Sequence, residues 1–423
     1  MNTLAREAST AQIDVAGGVD THQDTHTAAV VDQAGRMLGH RTFPTTDTGY
    51  RHLLAWLSGF GTMLVVGVEG TGAYGAGLAR YLMAQGQAVV EVDRPDRKAR
   101  RAAGKSDPID AESAARAALG RVRTGLPKQR DGMVEALRNL RVARRSAVSQ
   151  RADCVRRIKT LIITAPQELR ERLRDLSDTQ LLRVCTQLRP DLSRVGEPEQ
   201  AAKVALRALG RRHAALSAEI AELEALIAPL VEQINPALLA LNGVGPDSAG
   251  QLLVTAGQNT ERLRSEGAFA MLCGVAPIPA SSGKTHRHRL NRGGDRQANA
   301  ALYRVVLSRM RWDPHTRAYV ARRTTEGLSK KETIRCLKRL IVREIYYVLR
   351  QPAATLVDGH AQMITTTPMT MDGHSSIQAD TASALEGSTW STRSAASMND
   401  VDTDERGRTM AIEERPRTRH YPA

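Results

Sequence analysis

Four carboxylates in this 423-residue chain have spacing suited to divalent-metal chemistry: Asp20, Glu69, Asp107 and Asp110. Hard cations such as Mg2+ take oxygen ligands. A centre that holds two of them over a phosphodiester needs several carboxylates around one point. Asp20 and Glu69 each close an apolar, strand-like run, Val15–Val19 and Met63–Val68, and Asp107 lies beyond a third run, Ala88–Val92. Asp110 follows Asp107 by one helical turn, which puts both on one helix face. Far downstream, residues 274–294 read GVAPIPASSGKTHRHRLNRGG, an irregular basic loop with two adjacent serines. An acidic metal site and a basic serine loop on one chain suggest DNA strand cleavage by metal and nucleophile together.

Each feature has a plainer explanation. Asp20 suits a turn, and Glu69 precedes a glycine-permitted one. In Lys105–Ala111, Asp107 reads as a helix N-cap, Pro108 as the first helical residue and Asp110 as a capping partner. Ser281 and Ser282 lie among Lys284, Arg287, Arg289, Arg292 and Arg296. Guanidinium groups there could hold a phosphate and stabilise a transition state, with a serine as nucleophile. On chemistry alone, a loop whose serines only donate hydrogen bonds to phosphate is favoured. His286 and His288 alternate instead of sharing a helix face, which argues against zinc.

Two further segments suit nucleic-acid contact. Arg94–Lys105 contributes Arg94, Arg97, Lys98, Arg100, Arg101 and Lys105 against one Asp, just before the carboxylate pair. Neutralising six phosphates would give a log–log salt slope of roughly −5 on duplex DNA. Leu238–Gly257 reads as helix, Gly-Val-Gly hairpin, helix, in which Gly243 and Gly245 let backbone N–H groups approach a phosphate.

The formal net charge of +15 favours a polyanionic partner. Aromatic residues are only 3%, which argues against a general single-strand binder built on stacking platforms. The four cysteines are scattered without CxxC spacing, as expected of reduced cysteines in a cytosol. No secretory h-region and no membrane-length apolar run is visible, so a cytoplasmic, nucleoid-associated protein is expected.

The pattern predicts an α/β domain followed by α-helical ones. Residues 1–13 form an N-terminal extension. Residues 14–125 read as three hairpin-linked strands, then helix-strand-helix-strand-helix, giving a mixed sheet with helices on its faces. Residues 126–235 hold two long amphipathic helices, Gly132–Ile163 and Gln200–Gln233. These suit a packed bundle or a coiled-coil dimer arm equally. The stretch 166–198, with three of the seventeen prolines, reads as a connector. Residues 236–352 form a helical C-terminal unit bearing the serine loop. Residues 353–423, rich in Ser, Thr and Asp, read as a disordered tail.

With these residues in view, the chain resembles the DEDD transposases of the insertion-sequence one-ten family, relatives of the Piv invertase. The carrying motifs are GGVDTHQDTHTAAVVD, VVGVEGTGAYG, KSDPIDAESAA, LNGVGPDSAGQLL and FAMLCGVAPIPASSGKTHRHRLNRGGDRQANAALYRVV. They extend over most of residues 14–350. Asn242 departs from the proline that many relatives carry before the hairpin. The resemblance implies an RNase H-like (RuvC-like) domain with Asp20, Glu69, Asp107 and Asp110 as Mg2+ ligands. It also implies a C-terminal transposase domain with helix-hairpin-helix, whose serine joins covalently to DNA. Ser282 matches the motif, with Ser281 the alternative. Further implications are donor and target DNA, a structured bridge RNA as guide, and a homo-oligomer, dimer or tetramer. Two other readings are an actin-like or sugar-kinase-like phosphotransferase and a non-catalytic nucleic-acid-binding scaffold. The first needs a second glycine-rich phosphate segment and an adenosine loop, neither of which is found.

Overall fold

A computed structural model of the chain describes residues 13–92, 106–122, 124–283 and 288–351. The extension through residue 12, the basic track Arg94, Arg97, Lys98, Arg100, Arg101 and Lys105, the loop cations Lys284 and Arg287, and the tail 353–423 lie outside the described residues.

The apolar runs of the first domain pair into one six-stranded sheet. Its strands are β1 (Asp14–Thr21), β2 (Thr25–Asp32), β3 (Met37–Pro44), β4 (Thr62–Glu69), β5 (Val89–Val92) and β6 (Thr124–Gly125), ordered β3-β2-β1-β4-β5-β6. The β1–β2 and β2–β3 pairs are antiparallel hairpins, whereas β1–β4 and β4–β5 are parallel. The parallel pairs need crossovers, which α1 (Asp47–Ser58) and α2 (Ala76–Ala84) supply. The sequence expectation of a mixed sheet holds, with a short sixth strand added at the edge.

Strand periodicity divides the sheet's two faces. Val15, Val19, Val66 and Val68 pack with Leu53, Leu57, Leu78 and Leu82 of α1 and α2. Ala16 and Val31 face the other way, onto Ala115 of α3 (Asp107–Leu119). Gly18 and Gly67 share that second face, and they set its spacing. A β-carbon at Gly18 would lie 2.1 Å from the Ala115 nitrogen, and one at Gly67 would lie 2.6 Å from the Ala114 oxygen. The helix answers with small side chains of its own: Ala111, Ala114, Ala115 and Ala118 are buried. The sheet and α3 therefore meet almost backbone to backbone.

The remainder is helical. Two long helices, α4 (Gly132–Thr164) and, further on, α7 (Pro198–Ile234), run antiparallel along each other. Arg144 contacts Glu224 near one end, Arg212 donates to Gln150 in the middle, and Ile158 packs with Leu206 at the other. Their apolar faces thus meet within one chain.

The connector expected over 166–198 is instead folded. It holds α5 (Gln167–Leu173), α6 (Asp178–Gln187) and a 3-10 turn at Leu192–Arg194, packed on a small core with Ile158, Leu169, Leu173, Leu181, Cys185 and Leu206. Its prolines start helices, or follow them, instead of interrupting them: Pro166 precedes α5 and Pro198 opens α7.

The C-terminal core gathers α8 (Pro236–Leu239), α9 (Pro246–Ala256), α10 (Glu266–Leu272), α11 (Arg296–Trp312), α12 (Pro314–Thr325) and α13 (Lys330–Arg350). Leu137 of α4 and Val231 of α7 join Phe269, Leu302 and Val342 in its centre. Among the described residues no helix is long and apolar enough to cross a membrane.

Candidate divalent-metal centre

Positions 16, 18 and 20 of β1 lie on the face that α3 covers, and so do 65, 67 and 69 of β4. Asp20 and Glu69 are therefore on the helix side of the sheet, at the adjoining ends of two parallel strands whose last registered pair is Val19–Val68. Both are buried, Asp20 at 8% exposure and Glu69 at 7%. The chain leaves β4 through Gly70, whose φ of +69° suits glycine. Thr21 Oγ1 donates to the Glu69 carbonyl oxygen at 2.9 Å, which ties the two strand ends together.

The opposite wall is the N-terminal turn of α3. Asp107 is not the cap that its sequence context suggests. Ser106 occupies the N-cap with extended φ and ψ, and Asp107 and Pro108 open the helix. The Asp107 carboxylate is thus not held as a helix cap. Asp110 is buried on the sheet side of the same turn.

Between these walls stands a residue that the sequence reading passed over, His22. Its Nε2 lies 3.2 Å from Asp20 Oδ2 and 3.4 Å from Asp107 Oδ1. One ligand atom from each of Asp20, His22 and Asp107 lies within 4.8 Å of the others. The signal in the sequence was the Asp-x-His spacing at the end of a strand. Burial pushes the Asp20 carboxyl above its usual range; His22 opposes that shift, and the negative charges of Asp110 and Asp107 add to it. A buried carboxyl with other carboxylates beside it is stabilised in its ionised form by a cation placed among them. Carboxylate oxygens with one imidazole nitrogen suit a divalent cation.

The C-terminal candidates are placed elsewhere in the chain. Ser281 and Ser282 are exposed on a small hairpin whose stem pairs β7 (Ile278–Pro279) with β8 (His288–Arg289). The hairpin is rooted on the C-terminal helices. Gly294 packs against Gly274, where a β-carbon would be 2.2 Å from the Gly274 nitrogen. Asn299 of α11 donates to the carbonyls of Cys273 and Gly274, and Lys338 of α13 donates to Asn299. Arg289 and Arg292 are exposed on the same segment.

In the Gly-Val-Gly turn, Gly243 has φ of +75° and packs on α11, where Arg309 donates to the Asn242 carbonyl at 2.7 Å. Gly245 is the exposed N-cap of α9. The preceding helix, α8, is only four residues long. Asp247 beside this turn is committed to structure. It pairs with Arg141, Arg144 and Arg304, which hold its carboxyl below the usual range although burial works the other way.

Two family models match separate parts of the chain. A DEDD-type transposase family model matches residues 17–165, and the model of the transposase IS116/IS110/IS902 family matches residues 235–321. The chain belongs to this family of insertion-sequence transposases. Its relatives include the insertion element IS110 uncharacterized 43.6 kDa protein of Streptomyces coelicolor, 33% identical over 131 residues, which is 30% of this chain and 32% of the relative. Another is the insertion element IS900 uncharacterized 42 kDa protein of Mycobacterium paratuberculosis, 27% identical over 158 residues, 37% of this chain and 40% of the relative. These alignments therefore span well under half the length of either relative.

Proposed function

We propose that the chain cuts and rejoins DNA strands as the transposase of an insertion sequence. The observation that supports this best is the convergence of Asp20, His22 and Asp107 at one point, with Asp110 and Glu69 on the same side of the sheet. Asp20, Glu69, Asp107 and Asp110 would hold the cation or a pair of cations, Mg2+ being the expected ion. His22 would add a nitrogen ligand or orient the Asp20 and Asp107 oxygens. Bound there, the metal supplies Lewis-acid activation of a phosphodiester. The protein's own part is to fix the carboxylates at the meeting of two strand ends and a helix turn, where they cannot drift apart.

Ser282, with Ser281 the alternative, is the nucleophile in this reading. Attack by its hydroxyl on phosphorus forms a phosphoserine ester to DNA and releases a strand hydroxyl; reversal on another strand completes exchange. Arg289, Arg292, Lys284 and Arg287 would hold the phosphate. The turn at Gly243 and Gly245 and the basic track from Arg94 to Lys105 would track the backbone. Support comes from motif order and from the exposure of both serines on an anchored hairpin. Donor and target DNA are the substrates, a bridge RNA the guide, and a homo-oligomer the working unit, acting in the cytoplasm beside the nucleoid.

The deciding experiment is a nicking and strand-transfer assay on DNA carrying the element's ends. Activity should require a divalent cation and disappear in Asp20→Ala. Cleavage that persists in EDTA would set aside the metal reading. Nucleic-acid binding without any cleavage, under every cation tried, would favour the scaffold reading.

A further inference from the structure

Trp312 closes α11 and is the most exposed aromatic residue among those described, at 68%. Trp56, by contrast, packs with Phe43 and Phe60 in the sheet domain, at 5.7 and 5.0 Å. Scattered exposed apolar residues are ordinary. The Trp312 ring is set apart by what surrounds it. The Arg311 guanidinium lies over it, 4.7 Å from its centroid. One indole face is thus backed by a cation, and the other is left to solvent.

Its place on α11 also gives the ring a neighbour. Ser308 precedes Trp312 by four residues, so the two share a helix face. Gly243 packs against this part of the helix: a β-carbon there would lie 3.3 Å from Ser308 Cβ and 3.2 Å from Arg309 Cγ. Trp312 therefore stands one helical turn along from the Gly-Val-Gly turn, whose Gly245 is the exposed N-cap of α9. The acidic groups of this region are already engaged. Asp313 caps α12 and bonds to Thr316, Glu344 pairs with Arg309, and Asp247 pairs with Arg304. Arg311 and Arg317 are exposed and have no carboxylate partner among the described residues. A cationic face with an open ring suits a polyanion that carries flat bases, and it would repel a second copy of itself.

We propose that Trp312 stacks on one unpaired DNA base, next to a phosphate gripped by the turn at Gly243 and Gly245. The position of that base rests on reading the turn as a phosphate contact. An indole offers a broad apolar face at small conformational cost, a guanidinium behind it adds cation–π attraction, and base–aromatic stacking tolerates any sequence. One platform does not make a general single-strand groove. It serves one base, at a place where the duplex opens while the backbone beside it stays held.

The test is binding of the full chain in EDTA, where the carboxylate cluster holds no cation. A DNA duplex with a short unpaired stretch and a fully paired duplex are titrated, and tryptophan emission is followed. The first should quench emission and bind more tightly. Trp312→Leu should lose the quenching and bind that DNA roughly tenfold more weakly. Its salt slope should match wild type, because stacking releases no counterions. Trp312→Phe should keep most of the affinity. Gly245→Asp has open space for its side chain and keeps a good helix cap. It should weaken both duplexes alike and flatten the log–log salt slope by about one. Wild-type binding by Trp312→Leu beside a weakened Gly245→Asp would overturn stacking and keep the turn. Weakening by Trp312→Leu alone would support stacking and set the turn aside. Quenching by RNA of the same sequence and not by DNA would overturn the choice of DNA. Normal DNA binding by a Trp312→Leu protein that sediments as a smaller species would overturn the proposal in favour of a contact between copies.

Discussion

Gly18 lies so close to Ala115 that a single methyl group would stand 2.1 Å from its backbone nitrogen. That approach seats the first turn of α3 over the end of β1, and with it Asp107 and Asp110 over Asp20. Gly18→Ala should push the helix away from the sheet. Overpacking of this kind costs about 3 kcal/mol, and the carboxylates would separate in proportion. Thermal unfolding and Mn2+ binding by calorimetry should both register the change. Wild-type metal affinity in a destabilised Gly18→Ala protein would uncouple the helix seat from the site.

Individual alanine variants of Asp20, Glu69 and Asp110 should abolish strand exchange. In the proposed centre each substitution removes one negative charge from the carboxylate set that would hold the cations. Near-normal circular dichroism and RNA or DNA retention would separate this from unfolding. His22→Ala should be milder, weakening Mn2+ binding by about tenfold. Full recombination in any carboxylate variant would remove that residue from the site.

For the nucleophile, peptide mapping of trapped protein–DNA adducts should find DNA on Ser282. Ser282→Ala should leave no adduct and no exchange. Attachment at Ser281 would move the assignment by one residue, and free DNA ends under all trapping conditions would eliminate the covalent step.

Lys128 gives a pH signature. Its ammonium donates to the Val254 carbonyl at 2.7 Å. Burial, with Arg262 and Arg130 nearby, lowers its pKa to about 8. The unfolded chain keeps that proton to about 10.4. Below about 8 both states are protonated and nothing is gained. Between those values the unfolded state binds more protons, so stability rises with pH. Urea midpoints should show a gain of about 1–2 kcal/mol from pH 8 to 10 that Lys128→Met lacks. Parallel curves for the two proteins would count against a depressed Lys128.

Deletion of residues 353–423 should leave recombination within a few-fold of the full chain. The stretch has no apolar periodicity from which to build a core. Its basic end, RPRTRHYPA, should add weak affinity at low salt only. Failure of the truncated chain to assemble, or loss of cleavage at moderate salt, would make the tail part of the working protein.

Much of the sheet domain was legible because its signals are local. Apolar runs ending in Asp20 and Glu69 predict strand ends, and Ser-Asp-Pro predicts a helix start. The alanines of α3 and the glycines of β1 and β4 are equally plain in the sequence, yet their meaning lies in a contact between segments far apart in the chain. His22 was missed for a similar reason: a histidine in a turn becomes a candidate ligand only once α3 brings Asp107 to its other side. Asp and Ser are both good caps, so sequence alone leaves Asp107 as the cap, and backbone geometry chooses Ser106. In the segment 166–198, prolines that begin helices look in one dimension like prolines that break them.

The peptide leading from β6 to α4 is bonded on both sides. Asn259 donates to the Pro127 carbonyl and accepts from the Gln129 amide, Arg262 donates to Leu126, Arg264 donates to Thr124, and Arg130 reaches back to Gly72. The α/β sheet and the helices after it are therefore not beads on a string. Inserting glycine and serine here would not lengthen a leash or dilute one half relative to the other, as polymer scaling of a free linker would have it. It would unclasp a joint, and the loop beside Glu69 would lose its outer hold at the same moment. A split or fusion protein cut within this peptide should lose the geometry of the carboxylate cluster before it loses either fold.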